Sequence, residues 1–143
     1  LPKENRKKLS EYGEDGKRLA DSLQGALPAV SLINESSLST AFLNDVNPEM
    51  VFAQQVFGLG KKGDILLGIS TSGNAKNVHY ASIAAKSKEL HVLSLTGKDG
   101  GLMKQISDVT ITVPESETYK IQELHLPIYH AICRALECEF FGK

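Results

Sequence analysis

The sequence predicts an α/β fold built as a doubly wound parallel sheet, and three observations carry that expectation. Short apolar runs recur without polar alternation, segments of helical length separate them, and turn residues mark each change. Strands covered on both faces lose the in–out alternation of half-exposed ones, so this texture belongs to a parallel sheet with helical crossovers.

Residues 1–26 read as a polar helical lead-in or an insertion. Leu9, Tyr12, Leu19 and Leu23 form a loose helical stripe, interrupted by Gly13 and Gly16. Residues 27–143 read as one domain. Leu27-Pro28-Ala29-Val30-Ser31-Leu32-Ile33 is a short apolar run between turn residues and predicts a buried strand. Ser36 or Ser37 caps a short helix with Leu38, Ala41 and Phe42. Asn47-Pro48-Glu49 is a stronger helix start: a capping Asn, a Pro whose missing N–H costs nothing there, and an acid in the first turn. Val51, Phe52, Val56 and Leu59 supply that helix's apolar face, and Gly58 and Gly60 end it. Ile65 to Ile69 is the next strand, followed by a polar turn and a helix over about 75–88. His91 to Leu95 and Val109 to Val113 are two more strands, separated by a Gly-rich loop and a short helix. A long helix over about 118–140 closes the chain.

At 143 residues the chain is one domain's worth. Its 16 Lys+Arg against 17 Asp+Glu exclude a polybasic nucleic-acid binder working by bulk charge, and equally an acidic disordered tail. No apolar run approaches the ~20 residues of a membrane span. Cys133 and Cys138 cannot form a disulfide scaffold and are expected as reduced core thiols of a cytoplasmic protein. The opening Leu1, without an initiator Met, suggests the rear part of something longer.

Ligands of such sheets bind beyond the carboxyl ends of the strands, where loops enter helix N-termini. Gly68-Ile69-Ser70-Thr71-Ser72-Gly73-Asn74 is such a loop, with three hydroxyls and a permissive Gly directly before a helix. A phosphate ester suits it best, because backbone N–H groups and the helix dipole favour an anion there. Neither a Walker lysine nor a GxGxxG accompanies it, which argues against a nucleotide cofactor. The plain reading is a Ser/Asn cap without a ligand. Asn44-Asp45 precedes the second helix start, and by itself capping or a turn accounts for it. In Thr96-Gly97-Lys98-Asp99-Gly100-Gly101, Lys98 could approach an anion, although a solvent loop accounts for it and for Asp99. In the last helix Gln122, Glu123, His125 and His130 flank a core stripe of Ile121, Leu124, Ile128, Ile132, Cys133 and Leu136. A His beside such a stripe is usually a structural residue. Pro127 removes one backbone hydrogen bond, to Glu123, and predicts a kink between Gln122 and His130.

Ser70-Thr71-Ser72-Gly73-Asn74 after its apolar strand resembles the signature of SIS (sugar isomerase) domains. The 96–101 loop, Ile121-Gln122-Glu123-Leu124-His125 with His130 following, and Asn44-Asp45 resemble the bacterial phosphoheptose isomerase branch. The resemblance runs from about residue 27 to the end. It implies a flavodoxin-like five-stranded parallel sheet, a homotetramer, and conversion of sedoheptulose 7-phosphate to a manno-heptose 7-phosphate on the way to lipopolysaccharide. Carried over by position, Ser70, Thr71 and Ser72 hold the phosphate, Asn44 and Asp45 face the sugar, and Gln122 and His130 lie at the reaction centre. Some members bind zinc, for which Gln122 and His130 would be this chain's ligands. No membrane or direct nucleic-acid partner is implied.

Three departures stand out. Ala75 replaces a phosphate-binding Ser, and Tyr119-Lys120 replaces an Asp-Arg pair. Nothing matches the family's first strand, its Gly-Asn-Gly-Gly-Ser loop, or the early helix with a metal-binding His and a catalytic Glu. An aldose–ketose interconversion passes through an enediol and needs an acid/base near neutrality, a role that suits His130. Gln122 and His130 are eight residues apart, ~12 Å along a straight helix, so a kink or a site shared between subunits is expected. The alternative is a non-catalytic SIS module that binds phosphosugars or a protein, of the type associated with replication initiation.

Overall fold

The structure, a computed structural model, describes residues 1–142. It divides into two compact units, one of residues 1–30 together with those from Leu136 on, the other Ser31–Ala135.

The first unit holds α1 (Lys3–Ser10) and α2 (Gly13–Ser22). The two are separated at Gly13, where the chain adopts a φ of 75°. Gly16 and Ala20 are its buried residues in α2, whereas Tyr12 stands in water. Its ion pairs, Lys8–Glu4, Lys17–Glu14 and Arg6–Asp21, are solvent-exposed and contribute little.

The second unit runs α3 (Ser36–Asp45), a single 3₁₀ turn (Pro48–Met50), α4 (Val51–Leu59), β1 (Ile65–Ser70), α5 (Lys76–Ser87), β2 (His91–Thr96), α6 (Gly101–Ile106) and β3 (Val109–Thr112). Helix α7 (Thr118–Phe141) follows. The three strands form one parallel sheet in the order β1-β2-β3, with Ile65 opposite His91 and Leu93 opposite Val109. The Asn47 start works as expected: its Oδ1 accepts from the Glu49 N–H at 2.9 Å. It opens the 3₁₀ turn, which runs directly into α4.

Val56 of α4, Ala81 and Ala85 of α5, and Leu90 and Val92 form the core, with Leu32, Phe52, Leu66 and Ala84 packed against it. Each fully buried Val or Leu is worth about 1.5–3 kcal/mol, so this contact holds the crossover α4–β1–α5–β2 together. The other face is open at β1, where Ile65, Leu67 and Ile69 are 64%, 41% and 47% exposed. At the opposite end of the sheet Asp108 accepts from Lys86 Nζ at 2.6 Å and from the Val92 N–H at 2.7 Å. The Lys86 ammonium first, and the Val92 N–H second, hold its carboxyl below the ordinary value of 3.8.

Several expectations are corrected. Residues 27–33 are not a strand. Leu27, Val30 and Ile33 are exposed, and Leu32 sits in a turn, its carbonyl accepting from Gln55 Nε2 at 2.9 Å. A strand needs a ladder partner for its backbone, and among the described residues β1 pairs only with β2. Gly58 lies inside α4, and Gly60 alone ends it, its N–H donating to the Val56 carbonyl at 2.9 Å. Cys133 and Cys138 are exposed rather than core thiols. Of the expected stripe on α7 only Ile121 is buried; Ile128 and Ile132 are half-buried, and Leu124 and Leu136 are exposed. Leu124, Cys133 and Leu136 are exposed, so this apolar spacing is not spent on a core. Pro127 lies inside α7, where it offers no N–H to the Glu123 carbonyl.

Candidate functional site

The site begins where β1 ends. Ser70 is the last, buried residue of the strand, and the chain then bends through Thr71, Ser72, Gly73 and Asn74 into α5. The Gly73 N–H donates to the Ser70 carbonyl at 3.0 Å, closing the bend. The Ser70 hydroxyl accepts from the Ala75 N–H at 3.4 Å and the Ser72 hydroxyl from the Asn74 N–H at 3.1 Å. Each serine acts here as an acceptor and keeps its own O–H to give to an anion. The first turn of α5 adds backbone N–H groups that have no partner within the helix. Ala75, at the N-cap, contributes no side-chain bond.

A second loop, 96–101, is built into the first. The Gly97 N–H donates to the Thr71 carbonyl at 2.9 Å, and the Met103 N–H to the Gly73 carbonyl at 2.9 Å. Asn74 spans both: its Nδ2 donates to the Ser72 carbonyl at 3.0 Å, and its Oδ1 accepts from the Leu102 N–H at 3.0 Å. Gly73, at a φ of 68°, lies so close to the backbone of Gly100 and Gly101 that a Cβ would collide with it. The two loops therefore form one interlocked rim at the carboxyl ends of β1 and β2. Lys98 and Asp99 face solvent.

Helix α7 reaches this rim with its first turns. Its approach is set by Glu115, whose carbonyl accepts from the Lys98 N–H at 3.0 Å. Its carboxylate accepts from the Ser116 and Glu117 N–H groups at 2.8 and 3.3 Å. Those two bonds, Ser116 first, hold the Glu115 carboxyl below its ordinary 4.5. Ile121 then packs on Gly97, where a Cβ would stand 2.6 Å from Ile121 Cδ1 and 2.6 Å from the Thr71 carbonyl oxygen. One turn on, His125 is buried and its Nε2 lies 3.2 Å from the Thr96 carbonyl oxygen.

The sequence-predicted residues thus fall into two groups. Ser70, Thr71 and Ser72 are brought together with the N-terminus of α5, and Gln122, exposed, follows directly on Ile121. His130 is also exposed, its ring edge-on to Tyr129 at 5.1 Å. Asn44 and Asp45 close α3 and are exposed, and among the described residues no hydrogen bond joins either to the 70–75 bend. Beside the bend, Pro48, Glu49, Lys76 and Asn77 line an open recess of about 320 Å³, with Lys76 Nζ 3.5 Å from Glu49. Gln122 and His130 do not make a zinc site by themselves. They are separated by ~12 Å of helical rise, and among the described residues no three His, Cys, Asp or Glu side chains converge on a metal position. Sequence reasoning missed the bracing role of Gly97 and Asn74. The signal was present in the glycines of both loops, which mark close backbone approach. No helix among the described residues is long and apolar enough to cross a membrane.

A family model described as SIS domain matches residues 18–97. The chain is 49% identical over 117 residues to the phosphoheptose isomerase of Helicobacter pylori (strain ATCC 700392 / 26695), covering 82% of this chain and 61% of that one. It is 44% identical to that of Sulfurimonas denitrificans, with 82% and 60% covered. Among solved structures, it superposes on phosphoheptose isomerase from Neisseria gonorrhoeae with a TM-score of 0.76 at 44% identity, covering 78% of this chain and 62% of that one. The corresponding enzyme from Francisella tularensis gives 0.75 at 36% identity. The chain spans about three-fifths of the length of these curated relatives.

Proposed function

The chain belongs to the SIS domain family, and from that premise we propose that it is the phosphosugar-binding part of a phosphoheptose isomerase. The substrate is sedoheptulose 7-phosphate, converted to D-glycero-D-manno-heptose 7-phosphate, an early precursor of lipopolysaccharide. The observation that carries this reading is the rim itself. The Ser70–Asn74 bend is held rigid at the N-terminus of α5 while the Gln122 turn of α7 is packed beside it.

Ser70 and Ser72 donate their hydroxyl protons to the phosphate oxygens, Thr71 adds a third hydroxyl, and the helix dipole offsets part of the charge. Asn44 and Asp45 are the sugar-facing pair of this reading, and reach the rim only through the assembled enzyme. His130 moves the proton between adjacent carbons or their oxygens in the enediol step, and Gln122 orients the substrate. Because, among the described residues, no hydrogen bond joins His130 to the rim of its own subunit, it completes a site at a boundary between copies in this reading. The apolar side chains left exposed on α7, Leu124 and Leu126 among them, support a homo-oligomer, in this reading a tetramer. A zinc ion would need ligands beyond Gln122 and His130. The free thiols Cys133 and Cys138 agree with a cytoplasmic setting.

A coupled assay on sedoheptulose 7-phosphate with the full-length protein tests this. Turnover is expected, and His130→Ala lowers kcat by about 10²–10⁴-fold while phosphate binding persists. Binding of the sugar phosphate without turnover would instead establish a non-catalytic SIS module.

A further inference from the structure

Buried polar atoms are normally paired, and the exceptions call for a reason. Two such exceptions belong to residues that touch: among the described residues, Thr96 Oγ1 and His125 Nδ1 are both buried without a hydrogen-bond partner. His125 is 2% exposed and its other nitrogen, Nε2, is 3.2 Å from the Thr96 carbonyl oxygen. A carbonyl oxygen only accepts, so Nε2 carries the proton and donates. The same oxygen also accepts from the Val113 N–H at 3.0 Å. A leucine would fill this position with no orphaned nitrogen. What the imidazole adds is a directional bond from α7 to the last residue of β2.

That residue leads into the rim. Gly97, directly after Thr96, donates to Thr71 of the phosphate bend, and Ile121 of α7 packs on Gly97. Gln122 lies one helical turn before His125, and His130 five residues after it. We infer that His125 is a positioning residue: through the Thr96 carbonyl it fixes α7, and with it Gln122 and His130, in register with the phosphate cradle. The inference rests on the isomerase reading above for its catalytic consequence, and on the geometry alone for the clamp.

The experiment compares His125→Leu and His125→Gln in the full-length protein. Glutamine can place an N–H where Nε2 stands; leucine keeps the volume and loses the donor. With sedoheptulose 7-phosphate, His125→Leu is expected to lower kcat at least about tenfold, as small misplacements of reacting groups do, with KM changed less than about threefold. His125→Gln restores most of the loss. By hydrogen exchange, the Gly97 and Lys98 amides lose protection in His125→Leu and regain it in His125→Gln. A loss of folded fraction alone would leave kcat per active site unchanged, which separates positioning from mere stability. A folded His125→Leu with parental kcat and exchange overturns the inference, as does a glutamine variant no better than leucine. Should the parent not isomerise the sugar, the isomerase reading fails, while the exchange comparison still decides the clamp. If His125→Leu does not fold, His125→Asn, too short to reach Thr96, takes its place with the same expected outcomes.

Discussion

Replacing Gly97 by alanine probes the joint between the two loops and α7 with a single methyl group. The new Cβ would stand 2.6 Å from the Thr71 carbonyl oxygen, 2.6 Å from Ile121 Cδ1 and 3.1 Å from the Glu115 carbonyl oxygen. Ordinary contact begins at 3.4 Å, so about 0.8 Å must be found on two sides at once. The tip of Ile121 can turn away. The Thr71 oxygen cannot, because it is held at 2.9 Å by the N–H of Gly97 itself. The methyl therefore pushes the Ser70–Asn74 bend off the rim or stretches that bond. Overpacking of this kind costs about 1–3 kcal/mol, which for a domain of this size lowers Tm by about 3–12 °C. A shift near 1 Å in substrate-holding groups costs up to ~100-fold in rate. Thermal unfolding followed by circular dichroism gives the first quantity, and titration with inorganic phosphate with sugar-phosphate turnover gives the second. An alanine variant with parental Tm and parental phosphate affinity would refute the interlocked-rim argument.

Two further outcomes follow from the same bonds. Asn74→Ala removes the bridge to both Ser72 and Leu102 and leaves the Leu102 N–H unpaired. Water reaches that N–H, so the loss should be about 0.5–1.5 kcal/mol in denaturant unfolding, with weaker phosphate binding; Asn74→Asp keeps the acceptor and should lose less stability. Asp108 has a carboxyl depressed by Lys86 and the Val92 N–H. Its stabilising effect is therefore full above the ordinary value of 3.8 and is lost as pH falls through the lower folded value. Asp108→Asn should flatten the stability–pH curve below about pH 4, read as urea midpoints across that range.

The strands at Ile65, His91 and Val109 were legible because each is a short run rich in Val, Ile and Leu between turn residues, and the sheet supplies each with a ladder partner. Leu27 to Ile33 has the same composition and fails for want of that partner, which no local pattern encodes. The Ser70–Asn74 bend was legible as a strand–helix junction from its hydroxyls and glycine. Its bracing was not, because Gly97 and Asn74 act through neighbours 20 or more residues away. His125 looked like any histidine beside an apolar stripe. Only three dimensions show that its stripe is shallow, that Cys133 and Leu136 are exposed, and that the imidazole meets the Thr96 carbonyl of β2.

The six-residue parallel strand β1 has its outer backbone groups unclaimed by any described neighbour, beside a row of uncovered isoleucine and leucine. Such a margin is adhesive: its amides and carbonyls are a template on which another extended segment can zip. Handled at high concentration, this stretch is where unwanted self-assembly should nucleate, and a lysine in place of Leu67 would be the economical guard against it.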